Sequence, residues 1–327
     1  MKVAVLTSRE RCEKFTDPAL IPAGCELVHL GMDYTNADVL SRAADADAII
    51  VDAVLPVDAE LIAGMKNLKL IHSEGVGYNR IDTDAAKRAG VFVCNNRAVN
   101  AGQVAEHTVM LMLAVLHRLG EGDRMVRAGR QIETKTRFIQ EGLEDLSMRH
   151  VGILGFGAIG RELAKRLRPF GCRVSYFDTV RPDPETEAAL GASYLSREAL
   201  LETCDIISLH VPVLPDTVNL ICRETLAKMR PETILINCAR GAIVNDADLA
   251  EAIRDGVIRG AGLDTMEPEP VPADDPLILL PEPWSDRVVF SPHVAGTTRS
   301  VFFSAYRNIW QNIAAVARGE EPFNRVC

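Results

Sequence analysis

Val151-Gly152-Ile153-Leu154-Gly155-Phe156-Gly157-Ala158-Ile159-Gly160 is the stretch from which the rest of this chain is read. A short apolar run of strand length meets glycines spaced G-x-G-x-x-G (Gly155, Gly157, Gly160), and from Ala158 to Phe170 the composition turns helical. Strand, turn and helix in that order make a dinucleotide site. The glycines allow a tight turn and close backbone approach to a pyrophosphate, while the first helical amides and the positive end of the helix dipole hold phosphate. The next apolar run, Arg173 to Phe177, leads into Asp178, 23 positions after Gly155. From there a carboxylate accepts both ribose hydroxyls of NAD and repels the additional phosphate of NADP. The plain alternative is a tight turn in any parallel sheet.

Upstream, residues 2 to 96 alternate apolar strands (Val3 to Leu6, Leu27 to Leu30, Ala48 to Val51, Leu68 to His72, Val91 to Cys94) with helical stretches such as Ala37 to Ala46 and Asp58 to Lys66. This alternation predicts a parallel sheet covered on both faces. Its first turn, Thr7-Ser8-Arg9-Glu10, has no phosphate-binding glycines, so this region is expected to contact substrate instead, through Ser73-Glu74-Gly75-Val76-Gly77-Tyr78-Asn79-Arg80-Ile81-Asp82. Val54, Leu55, Glu74, Tyr78 and Met266 are candidate pocket walls, with Glu74 disfavouring a second negative charge on the substrate. Val104, Thr108, Leu111, Val115 and Leu119 recur at helical spacing and predict one long helix from Asn100 to Gly129. Arg124, Arg127 and Arg130 face few acids nearby and suggest a solvated or subunit-facing surface; the polar stretch Gln131 to Met148 reads as an excursion or oligomerisation arm.

Downstream, Ile206 to His210, Ile234 to Cys238, Gly260 to Asp264 and Val288 to Ser291 read as strands, with a helix from Asp246 to Asp255. They complete a second sheet of about six strands. A last helix, Thr297 to Arg318, is expected to return to the first domain. The fold class is therefore α/β with two doubly wound parallel-sheet domains: residues 1–99 plus 297–327 for substrate, and 100–296 for the dinucleotide.

A 327-residue chain with 47% hydrophobic residues can bury two cores. Its net charge of −9 argues against nucleic acid, which needs a basic surface. The N-terminus reads as a strand rather than a signal peptide, and Val109 to Leu116 is too short to span a bilayer, so no membrane is expected and the cytoplasm is. The eight cysteines form no C-x-x-C pair and no cluster with histidine, which predicts reduced thiols and no metal.

Four polar residues follow strands of the second domain: Arg240, Asp264, Glu269 and His293. Moving a hydride at a carbinol carbon needs a proton acceptor for the hydroxyl, the work of a histidine near neutral pH. An anionic substrate calls for a cation that stays charged and binds two oxygens, which favours arginine. A carboxylate against the imidazole fixes its tautomer, and Glu269 is the candidate.

These motifs resemble the D-isomer-specific 2-hydroxyacid dehydrogenase family over essentially the whole chain. The matching segments are Gly75 to Asp82, Val104-Ala105-Glu106-His107, Gly155 to Gly160, His210-Val211-Pro212 with Thr217, Ile236 to Val244, Asp264 with Glu269, and Ser291 to Gly296. The resemblance implies a Rossmann NAD-binding domain inserted in a flavodoxin-like substrate domain. It further implies that Arg240 holds the carboxylate and keto oxygen, that His293 is the general acid/base, and that Glu269 tunes it. Val76, Gly77 and Tyr78 would bind substrate alongside Arg240 and His293. The cofactor set would be Val104, Gly155, Phe156, Gly157, Ala158, Ile159, Gly160, Asp178, His210, Val211, Pro212, Thr217, Cys238, Ala239, Arg240, Asp264, His293, Ala295 and Gly296. His107 is expected to be structural. The implied partners are NAD, a small anionic 2-oxo or 2-hydroxy acid, and a second copy in a homodimer. Ser147-Met148-Arg149-His150 departs from the Gly-Lys-Thr usual before the fingerprint. Two other readings stay open: an NAD-sensing interaction protein without catalysis, and a dehydrogenase of phosphite or formate.

Overall fold

The computed structural model describes residues Met1 to Cys327, which form two compact units: Met1–Val99 with Thr297–Cys327, and Asn100–Gly296. In the first unit, β1 (Lys2–Leu6), β2 (Glu26–His29), β3 (Ala48–Val51), β4 (Leu70–Ser73) and β5 (Phe92–Cys94) form a parallel sheet ordered β2-β1-β3-β4-β5. β3 and β4 are buried throughout, which is why they read as unbroken apolar runs rather than alternating ones. The last helix, Arg299–Ala317, closes one face by setting Tyr306, Ile309, Trp310 and Ile313 against Val3, Val5, Ile50 and Leu70. Trp310 Nε1 donates to Thr16 Oγ1 at 3.0 Å, so the indole is buried with its one donor satisfied. Burying each of the helix's isoleucines, Ile309 and Ile313, contributes about 2 kcal/mol. Arg325 pairs antiparallel with Cys94, and Val326 N–H donates to Val93 O at 2.8 Å.

The second unit has seven parallel strands, β6 (His150–Leu154), β7 (Arg173–Phe177), β8 (Ala192–Tyr194), β9 (Ile206–Leu209), β10 (Ile234–Asn237), β11 (Gly260–Leu263) and β12 (Val288–Phe290), ordered β12-β11-β10-β9-β6-β7-β8. The seventh, β8, is a three-residue edge strand, Ala-Ser-Tyr, too short and mixed to show as an apolar run. The order reverses at β6, whose neighbours are β7 and β9; ligands of open α/β sheets sit outside the carboxyl ends of strands at such a point.

The single long helix expected from Asn100 to Gly129 is instead two, Ala101–Leu116 and Leu119–Arg127, separated by Arg118 at φ +52°. The first lies on β10 and β11 and on the fingerprint helix, whereas the second turns away to lie against a further helix, Gln131–Glu141. Arg118 holds the corner by pairing with Glu121 and Glu141, its guanidinium 4.5 Å from the centre of the Phe138 ring. The polar stretch after Gln131 is thus largely helical. Nor do the arginines before it lack acids: Arg124 pairs with Glu282 and Asp286, Arg127 with Asp123 and Arg130 with Glu133. No helix of the chain is long and apolar enough to cross a membrane.

Candidate active site

The turn after β6 gives each fingerprint glycine a separate physical reason. Gly155 sits at φ +95°, and a Cβ there would lie 2.5 Å from the His210 carbonyl oxygen. At Gly160 a Cβ would lie 2.3 Å from Gly155 O, so helix and strand meet there backbone to backbone. At Gly157 a Cβ would meet nothing within 4 Å. That open face, at the N-cap of the Ala158–Leu167 helix, is the shape a pyrophosphate requires. The amides of Ala158 and Ile159 belong to the first helical turn, which has no intrahelical acceptors.

Asp178 Oδ2 accepts the Phe156 amide at 2.6 Å and Oδ1 the Val180 amide at 3.0 Å, so the carboxylate braces the turn. Thr179 Oγ1 also donates to Oδ1 at 3.4 Å, so of the about four lone-pair sites of the two oxygens about one is left for a ribose hydroxyl. Phe156 itself is core, its ring stacked on Tyr176 at 3.9 Å, so only its backbone faces the turn.

The other predicted residues line the same sheet edge. His210 follows β9; its Nε2 meets Ser208 Oγ at 2.8 Å, its Nδ1 is buried without a partner, and burial pushes the imidazole down to about 3. It is a neutral ring with one polar atom to spare. Val211 packs on the core, and Thr217 Oγ1 donates to Pro212 O at 2.6 Å, which ties the following turn together. Val104, Cys238 and Ala295 share one buried cluster, where burial lifts the Cys238 thiol to about 12 and keeps it protonated. Beside them, a Cβ on Gly296 would lie 2.4 Å from Asn100 Nδ2.

Arg240 and Ala239 follow β10. Arg240 makes no ion pair; one guanidinium nitrogen donates to Ala239 O at 2.7 Å, and burial lowers its proton affinity against the opposing field of Glu269. An arginine so displaced is still charged at neutral pH. Past β12, His293 Nδ1 lies 2.8 and 3.0 Å from the two oxygens of Glu269. A carboxylate only accepts, so Nδ1 carries the hydrogen and Nε2 is the atom left to exchange a proton.

His293 stands at φ +54°, a left-handed conformation uncommon for residues other than glycine and here held by its neighbours. Asp264, buried at the end of β11, is the agent: its backbone oxygen accepts His293 N–H at 2.8 Å. Its carboxylate accepts Ser291 Oγ (2.5 Å), Val294 N–H (3.0 Å) and Ala295 N–H (2.9 Å). His107 Nε2 meets Ser291 Oγ at 2.8 Å, so it belongs to the clamp beneath His293. The i, i+4 pattern of its helix marks His107 as inward-facing, but its partner lies 184 positions away and no local signal shows it.

In the first unit, Tyr78 and Val54 are exposed on loops after β4 and β3, and the amides of Gly75, Val76 and Gly77 donate to no protein acceptor. Glu74 departs from expectation. It is buried, accepting Thr7 Oγ1 (2.9 Å), Arg11 Nε (2.8 Å) and Tyr306 Oη (2.5 Å), so its charge is matched internally and does not line a pocket.

A glycine turn shaped for pyrophosphate, with an imidazole able to pass a proton and a guanidinium free of carboxylates leaving the same sheet edge, defines the class: a nicotinamide-dependent dehydrogenase. Residues 109–295 match the family model for the D-isomer specific 2-hydroxyacid dehydrogenase, NAD binding domain. The chain belongs to the D-isomer specific 2-hydroxyacid dehydrogenase family and is an NAD-dependent oxidoreductase. It is 35% identical over 288 residues to a glyoxylate reductase of Korarchaeum cryptofilum, covering 88% of this chain and 85% of that one. It is 36% identical to D-3-phosphoglycerate dehydrogenase of Mycobacterium tuberculosis, over 86% of this chain but 51% of that enzyme, so it spans about half the latter's length. The structure of D-lactate dehydrogenase with NAD+ from Lactobacillus jensenii superposes with a TM-score of 0.83 at 27% identity, all of each chain covered.

Proposed function

We propose that this enzyme reduces a short 2-oxo acid, of the size of glyoxylate or hydroxypyruvate, to the D-2-hydroxy acid, with His293 as general acid. The observation that carries the reading is the His293–Glu269 pair, which commits Nδ1 and leaves Nε2 to deliver the proton. NAD(H), when bound, supplies or accepts the hydride. Gly155 to Gly160 would hold its pyrophosphate and Asp178 its ribose, with His210, Pro212, Cys238 and Ala239 toward the nicotinamide end. Arg240 binds the carboxylate and polarises the keto oxygen, so that negative charge developing there meets a fixed cation. As that oxygen gains charge, protonated His293 gives up its Nε2 proton while Glu269 keeps the ring oriented. The amides of Val76 and Gly77, which donate to no protein acceptor, are further candidates for binding a carboxylate. The short substrate is favoured by the glyoxylate reductases, relatives that match this chain over most of their own length.

The test is a set of NADH-oxidation rates with glyoxylate, hydroxypyruvate, pyruvate, 2-oxoisocaproate and phosphohydroxypyruvate, repeated with His293→Ala. Glyoxylate or hydroxypyruvate should lead, and the variant should lose about a hundredfold or more in kcat. A variant retaining most of its turnover rejects the acid assignment. With this reading go a cytoplasmic setting, which suits eight free thiols, and a homodimer, which light scattering would report as twice the mass of the chain.

A further inference from the structure

The loop after β4 is tied down on one side only. Glu74 O accepts Asn96 Nδ2 at 2.8 Å, Gly75 O the Asn96 backbone N–H at 2.9 Å, Val76 O Asn95 Nδ2 at 2.7 Å, and Gly77 O the Ser73 hydroxyl at 2.6 Å. Four successive carbonyls are therefore engaged, while the amides of Gly75, Val76 and Gly77 have no acceptor in the protein. In a trans peptide the N–H points opposite the C=O of the same plane. Fixing Gly75 O thus aims the Val76 N–H, and fixing Val76 O aims the Gly77 N–H. Successive amides of a turn left without protein acceptors are the donors from which anion-binding concavities are built.

Asn95 is the one side chain that sets the Val76–Gly77 plane. It is 4% exposed, and its own N–H donates to Asn324 O at 3.3 Å in the segment paired along β5, so its backbone is anchored independently of the loop. Its Oδ1 is buried with no donor, so the whole hydrogen-bonding value of this amide lies in the bond from Nδ2 to Val76 O.

We propose that Asn95 is a positioning residue for substrate binding: it acts through the Val76 carbonyl to hold the Gly77 N–H toward the substrate carboxylate. This rests on the reading that the Val76 and Gly77 amides receive that carboxylate. Asn95→Asp preserves shape but replaces the donor with an acceptor facing Val76 O, which favours turning the peptide plane over. Asn95→Ser keeps a shorter donor.

The experiment measures glyoxylate kinetics and NADH affinity for wild type and both variants, with hydrogen–deuterium exchange of the 74–80 segment in the presence of NADH and oxamate, an unreactive 2-oxo acid analogue. Asn95→Asp should raise KM about tenfold or more while kcat falls less than about threefold and NADH affinity holds, with Asn95→Ser in between. Oxamate should slow exchange of the loop amides in wild type and not in Asn95→Asp. If Asn95→Asp does not fold, Asn95→Leu, near in volume and without a donor, is read the same way. An unchanged KM and intact oxamate protection in a donorless variant overturn the positioning role. A wild type that reduces no 2-oxo acid and shows no oxamate protection overturns instead the reading on which the role rests.

Discussion

The two sheets of this chain solve the same topological problem in opposite ways. Each has a point where the strand order reverses and a crevice opens at the carboxyl ends, between β1 and β3 in the first unit and between β6 and β9 in the second. In the first unit that crevice is filled. Thr7 after β1, Asp52 after β3 and Glu74 after β4 converge on Arg11, whose guanidinium pairs with both carboxylates. In the second unit it is kept open by glycine: Gly155 and His210 touch backbone to backbone, and Gly157 faces free space. The same kind of reversal point becomes a structural plug or an open cleft according to the side chains its first turns carry.

The comparison breaks most sharply at Gly155. Gly155→Ala forces a side chain to φ +95° against the His210 carbonyl, and should cost roughly 3–5 kcal/mol and abolish NADH binding, read by urea unfolding and NADH fluorescence. Arg11→Met is the counterpart in the first unit. It leaves two carboxylates facing each other and should cost about 3 kcal/mol, yet the folded variant should bind NADH as wild type does. Weakened NADH binding there would mean that the plug serves the cofactor too.

Each unit also holds a buried neutral histidine: His72, which burial pushes down to about 4, and His210, pushed down to about 3. A histidine whose pKa is depressed by folding favours the native state while neutral. That stability is complete above about pH 6.5 and is lost as pH falls from there toward the depressed values, by up to about 3 kcal/mol for His72. His72→Gln should flatten the decline between about pH 6.5 and 4 in equilibrium unfolding. A decline of unchanged depth would place the acid sensitivity elsewhere.

Ser291→Ala should have the smallest effect. It removes one bond to Asp264 and one to His107, costing about 1 kcal/mol, and loosens the backbone that holds His293 at positive φ, so kcat should fall several-fold with NADH affinity unchanged.

Much of the second unit was legible because its signals are local. The spacing of Gly155, Gly157 and Gly160, the acid that ends the next apolar run at Asp178 and the polar residues that end later runs can each be read from the few residues around them. Features set by remote partners were not legible. Arg118 bends its helix to reach Glu141, Arg124 is neutralised by Glu282 and Asp286, and Glu74 is drawn inward by Arg11 and Tyr306. No window containing Glu74 alone distinguishes a pocket wall from a buried ion pair. Asn95 was silent for the same reason, its partner being a carbonyl 19 positions earlier.

The most direct test of proton delivery by a carboxylate-held imidazole is the pH dependence of kcat/KM for glyoxylate reduction in wild type and Glu269→Gln. On the proposed mechanism reduction draws on protonated His293, so the rate should fall as pH rises. Removing the carboxylate that faces that cation should move the fall to lower pH. A profile that stays where it was on substitution of Glu269, or that rises with pH, contradicts the pairing.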